Sequence, residues 1–186
     1  MRTFIAVDFN KEVKNEIKSL QDRLRTHASF GRWKYIDNFH LTLKFLGEID
    51  DKKEDEIGAQ LEKTCQKSNP FVLNISEIGR FQGHDNIRVL WLGLGGELDK
   101  LKRLQADVEE GMHAIGFEKE KRPYVPHITI AQDIAFSTGF DEIRKIASEI
   151  VFPDIPVDKI FLFKSEQVGK KRIYTPLKEF RFEKDT

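Results

Sequence analysis

Apolar and polar positions alternate through residues 3–9, TFIAVDF, and this β-rich run predicts a strand. Directly after it, Val13, Ile17, Leu20 and Leu24 recur at steps of four, three and four, which places them on one face of a helix over 11–26. The two periods then take turns. Residues 39–47 (FHLTLKFLG) read as a strand closed by glycine, and the charge run DDKKEDE at 50–56 opens a helix with Ile57, Leu61 and Cys65 on one face. The acidic residues of that run suit a helix N-terminus, and a solvated face accounts for the rest. Strands are predicted at 71–78 and 87–94 around the turn-like Gln82-Gly83-His84-Asp85-Asn86. A helix over about 97–115 carries Leu98, Leu101, Leu104, Val108, Met112 and Ile115. A strand at 126–132, a short helix at 139–150 and strands at 157–164 and about 172–182 complete the chain.

Strands and helices alternate, but adjacent strands read as hairpins. The expected class is α+β, with antiparallel sheets and helices packed outside, and not a parallel doubly wound sheet. A length of 186 residues suits one domain or two small lobes sharing a core. The 39% apolar content with 15 Phe and the 33% charged content are those of a globular protein with a solvated surface. A net charge of zero argues against holding long nucleic acid mainly by phosphate neutralisation, and permits a local pocket for a small anion or a nucleic-acid end. One cysteine, Cys65, cannot form an internal disulfide, which suits a reducing compartment; a cytoplasmic location is expected. Asp8 arrives too early for a signal segment, and no apolar run approaches a membrane span. Asn74-Ile75-Ser76 is read as a chance sequon.

The chemistry lies in a pattern that occurs twice. His40-Leu41-Thr42-Leu43 and His127-Ile128-Thr129-Ile130 stand eighty-seven positions apart, each on a predicted strand. That distance is too long for a solenoid period and fits a duplication giving two similar lobes. Strand alternation turns His and Thr to one surface and the two aliphatics to the core. A neutral imidazole can take a proton from an attacking water or hydroxyl while a protonated one gives a proton to the leaving oxygen. Each threonine hydroxyl can donate to a phosphate oxygen where charge builds up. No metal is required. A single His-x-Thr-x is common on strands and carries little weight; two in one short chain carry more.

Other residues have bland readings. Gly93-Leu94-Gly95-Gly96 lacks a nucleotide-loop ending and suits a helix start. His27, His84 and His113 have no metal-like spacing. Trp33, Tyr124 and Phe4 could stack on a base, with core packing the commoner role; Trp91 reads as core and Cys65 as a small core residue. The segment 164–184 holds seven Lys or Arg against three Glu, by default a solvated surface.

With these motifs and their flanks, the sequence resembles the RNA 2′,3′-cyclic phosphodiesterases, also called 2′-5′ RNA ligases, of the two-histidine phosphoesterase superfamily. The resemblance runs through Arg2-Thr3-Phe4-Ile5-Ala6-Val7, through Arg32-Trp33 with the block from Asn38 to Gly47, through Arg88–Gly93, through Arg122–Ala131, and from Ile160 through Ser165 to Tyr174. It implies a single bilobal domain over 1–186, with a cleft between two pseudo-symmetric lobes and one motif from each. It implies hydrolysis of terminal 2′,3′-cyclic phosphates to 2′-phosphomonoesters, with weak ATP-independent ligation in some members. His40 would then be the proton donor to the 3′ oxygen and His127 the proton acceptor, roles that could be exchanged, with Thr42 and Thr129 on the phosphate. No cofactor or metal is implied. The expected partner is RNA or a nucleotide with a cyclic phosphate end, and a monomer is expected. The family often has arginine five residues after the second histidine; here it is Gln132, which cannot supply charge. Lys44, expected on the strand face of His40 and Thr42, is a candidate replacement, and Phe4, Tyr124 and Gln132 are candidate substrate contacts. Gln132 also keeps 2′-5′ oligoadenylate or ADP-ribose-derived cyclic phosphate open as substrates. A nucleotide- or RNA-binding module without turnover is the reading from another class.

Overall fold

The computed structural model describes residues 1–183. It contains two antiparallel sheets and four α-helices: β1 (Arg2–Asp8), α1 (Lys11–Arg25), β2 (Ala28–Trp33), β3 (His40–Glu48), α2 (Asp51–Gln66), β4 (Phe71–Gln82), β5 (Ile87–Gly96), α3 (Leu98–Ala114), β6 (His127–Phe136), α4 (Phe140–Ser148), β7 (Ile155–Val157), β8 (Lys159–Val168) and β9 (Lys171–Arg181). One sheet has the order β3-β1-β8-β9, the other β2-β6-β5-β4-β7. The fold is therefore α+β, as the alternation of periods predicts.

Local chemistry sets the ends of the elements. Asn10 caps α1 by accepting from the Val13 N–H at 2.9 Å, and Asp50 caps α2 by accepting from Lys53 at 2.8 Å. β8 and β9 join through a two-residue turn whose first residue, Gly169, has φ +61°, a conformation cheap only for glycine. Pro70 stops the chain between α2 and β4.

Helices α1 and α4 pack together behind the second sheet, and α2 and α3 behind the first. Their apolar faces meet Ile5, Val7 and Leu41 of the first sheet and Leu90, Leu92 and Ile128 of the second in one continuous core. A second, small cluster of Phe4, Ala6 and Phe163, with Phe161 and Tyr174 against it, covers the opposite face of the first sheet. That face is one wall of the cleft between the sheets; β3 and β6, the two motif strands, are neighbours across it.

Two strands escape the periodicity argument. β2, sequence ASFGRW, has no clean alternation and lies on a sheet edge. β7 is three residues long with Pro156 in its middle, which only an edge tolerates.

Candidate active site

Both motif strands carry the same irregularity. Along β1, Ala6 pairs with Thr42 and Ile5 with Lys44, so Leu43 is skipped. Along β5, Trp91 pairs with Thr129 and Leu90 with Ala131, so Ile130 is skipped. Each strand thus has a β-bulge immediately after its His-x-Thr, and a bulge reverses the alternation beyond it. The fourth residue after each histidine, Lys44 or Ala131, is turned to the core. The fifth, Phe45 or Gln132, returns to the cleft face.

This corrects the expectation for Lys44. It does not share the face of His40 and Thr42. It is buried, and its Nζ lies 3.0 and 2.9 Å from the two carboxylate oxygens of Glu109 on α3 and 2.9 Å from the Glu118 carbonyl. An ammonium so engaged is not available to a phosphate. Phe45, which the sequence reading passed over, takes the cleft position and is 69% exposed.

The imidazoles are held alike. The Nδ1–H of His40 donates to the Asn38 carbonyl at 2.8 Å, and that of His127 donates to the Val125 carbonyl at 2.7 Å. A carbonyl can only accept, so Nδ1 carries the hydrogen in both and Nε2 is the nitrogen left without one. His40 Nε2 accepts from the Thr42 hydroxyl at 2.8 Å. Burial pushes the His40 pKa down to about 4, and the Lys34 ammonium adds to this, while the Asn38 carbonyl and the Asp8 carboxylate pull the other way. His40 is therefore neutral at neutral pH.

Aromatic rings support both histidines. Phe4 and Tyr174 lie 4.9 and 5.2 Å from the His40 ring. Phe81 and Trp91 lie 5.3 and 6.5 Å from His127. Phe4 is 2% exposed and stacked on Phe163, so it is a floor beneath His40, not an open platform for a base. Trp91, read from sequence as core, faces the cleft beside His127, with Gly79 opposite because any side chain there would overlap the indole. Tyr124 is also closed to stacking: its hydroxyl donates to the Thr42 carbonyl at 2.9 Å, and burial raises its pKa. Trp33 packs on the core, with the Arg25 guanidinium over its ring.

Gln132 lies on the cleft face between Val89 of β5 and Arg32 of β2. Arg32 is ion-paired to Asp133, which adopts φ +49°. The basic C-terminal segment resolves into individual roles. Lys164, Lys178 and Arg181 pair with Glu166, Glu62 and Glu179, and Lys184 lies outside the described residues. Arg172 reaches Ser165 Oγ at 3.4 Å and, with Arg2, Phe45 and Tyr174, lines a shallow depression of about 90 Å³ beside the aromatic floor of His40. A cavity of about 310 Å³ between α4 and strands β4 and β5 is lined by neither histidine.

The sequence matches the family described as LigT-like phosphoesterase over residues 7–91 and 94–174. The chain belongs to this family. Among relatives of the LigT-like chain, the RNA 2′,3′-cyclic phosphodiesterase of Thermotoga maritima is 33% identical, over 98% of this chain and 96% of its own. That of Methanocaldococcus jannaschii is 32% identical, over 97% and 100%. Among solved structures, Escherichia coli LigT complexed with 3′-AMP superposes with a TM-score of 0.78 at 26% identity, covering 97% of both chains. TT0787 of Thermus thermophilus shares the fold, with a TM-score of 0.80 at 24% identity over the whole of both chains. Among the described residues of this LigT-like chain, no helix is long and apolar enough to cross a membrane.

Proposed function

We propose that the chain hydrolyses the 2′,3′-cyclic phosphate of an RNA or nucleotide end to a 2′-phosphomonoester. The observation that carries this reading is the pair of His-x-Thr strands, each followed by the same bulge and each holding its Nδ1–H on a backbone carbonyl so that Nε2 is left for the substrate. The names of the relatives give the substrate class.

In the reaction, water attacks phosphorus as the bond to O3′ breaks. His127 Nε2 takes the proton from water. His40 Nε2 gives its proton to O3′, and the Thr42 and Thr129 hydroxyls donate to the non-bridging oxygens. Burial holds the His40 pKa near 4, and a phosphate monoanion seated at Nε2 opposes that desolvation. Loading of the acid is thereby coupled to substrate binding. The exposed Phe45 gives the terminal base a surface to stack on. The residues of the proposed site all come from one chain, so a monomer suffices for the reaction. The lone cysteine, Cys65, has no partner for an internal disulfide and suits a cytoplasmic setting.

The test uses RNA ending in 2′,3′-cyclic phosphate, in EDTA. The expected product is the 2′-phosphate, with kcat lowered roughly 10²–10⁴-fold in His40→Ala and in His127→Ala. A substrate with sulfur in place of O3′ has a leaving group that departs without a proton. It should restore turnover to His40→Ala and leave His127→Ala inactive; the opposite pattern exchanges the two roles. Turnover near the wild-type rate in both alanine variants with the ordinary substrate would remove the mechanism. Because position 132 is glutamine, the same assay includes 2′-5′ oligoadenylate and ADP-ribose-derived cyclic phosphate, and preference for either redirects the reading.

A further inference from the structure

A phosphate monoanion held between two histidines and two hydroxyls leaves its charge unmatched, and unmatched charge away from water is costly. Position 132 faces the cleft one bulge beyond Thr129, but glutamine hydrogen-bonds a phosphate without neutralising it. Lys44 is committed to Glu109 on the core side. Arg32 is paired with Asp133 at the exposed rim.

We propose that Lys34, immediately after β2, is the cation that binds the substrate phosphate in this chain. Its backbone is fastened to the second motif: the Lys34 N–H donates to the Ile130 carbonyl at 3.0 Å, and buried Gln21 Nε2 donates to the Lys34 and Ile130 carbonyls at 3.0 and 2.9 Å. Ile130 is the bulged residue directly after Thr129. Trp33 opposes Ala131 and packs on the core, so the next residue along turns to the cleft on the side of Thr129. The Lys34 charge helps to lower the pKa of His40 on β3, and Arg172 of β9 helps to lower that of Lys34. Lys34 is thus anchored beside the second motif while its charge bears on the histidine of the first. Among the described residues its ammonium has no carboxylate partner within ion-pair distance, and neither does Arg172. Desolvation, with repulsion from Arg32 and Arg172, lowers the Lys34 pKa, and an anion in the cleft would relieve both.

The inference rests on the proposed phosphate chemistry of this cleft, and the test separates the two. Wild type, Lys34→Met, Lys34→Arg and Lys34→Met/Gln132→Arg are titrated calorimetrically with a nucleoside 2′-monophosphate and assayed on a nucleoside 2′,3′-cyclic phosphate. The expected result is about tenfold or greater weakening of both Kd and kcat/KM in Lys34→Met, with unchanged Tm. Lys34→Arg should keep most of the affinity, and the double variant should recover most of it, because arginine at 132 puts a cation back on the same face. Lys34→Met binding within twofold of wild type overturns the inference, as does a double variant no better than Lys34→Met. A wild type that binds the monophosphate but turns over no cyclic phosphate removes the proposed reaction, while the titrations still read Lys34.

Discussion

At the scale of single residues, the two histidines and two threonines stand out in the sequence because a short pattern with a chemical meaning occurs twice. The state of His40 does not, since it depends on what buries the ring. Its pKa is 6.5 when exposed and about 4 in the folded cleft. Between those values the unfolded chain binds a proton that the folded chain refuses, so stability falls as pH drops through this window and is whole above it. The loss from this residue approaches about 3 kcal/mol at the acid end. His40→Asn removes the titration. Urea unfolding at pH 7 and pH 4.5 should show a smaller acid loss in the variant than in wild type; equal losses would show that His40 is not held neutral by the fold. Lys34 and Phe45 were passed over because nothing in a linear pattern says that a lysine after a strand or a phenylalanine within one faces a cleft.

At the scale of elements, the helices and most strands follow from period and capping. The bulges do not. Strict alternation sends Lys44 to the face of His40, and one skipped residue sends it to Glu109 instead. The pair is buried, so the cost of breaking it should exceed the benefit of having it. Lys44→Met or Glu109→Leu alone leaves a charge without its partner and should cost about 3–5 kcal/mol in chemical unfolding. The double variant should recover most of that; equal losses in single and double variants would argue that packing, not charge, sets the cost. β2 and β7 escape notice for a related reason. Edge strands gain their place from a neighbour's open hydrogen bonds more than from their own residues.

At the scale of the whole molecule, the two motifs lie on separate sheets that face one cleft, and the bonds that cross between them are invisible to any one-dimensional pattern. β3 is an edge strand, and its outward carbonyls are taken by the other half of the chain: Thr42 O by the Tyr124 hydroxyl and Leu43 O by Gln105 Nε2 at 3.3 Å. Tyr124 therefore ties the approach to the second histidine to the first motif. Tyr124→Phe should cost only about 1 kcal/mol of stability. It should lower kcat well beyond that, with KM little changed, because the distance between acid and base loosens. Steady-state kinetics beside a melting curve checks this, and a kcat that tracks stability alone would reduce the bond to a structural one.

The chain has equal numbers of acidic and basic residues, 31 of each, yet Arg2, Lys34 and Arg172 gather at the cleft without acidic partners among the described residues. A neutral body with its positive excess gathered at one mouth has almost no long-range pull on a polyanion. Its field begins to act only within about a Debye length, roughly 8 Å at physiological ionic strength. Such a molecule does not cling along the length of a nucleic acid, and a chain terminus that wanders into the mouth is drawn the last few ångströms and turned phosphate first.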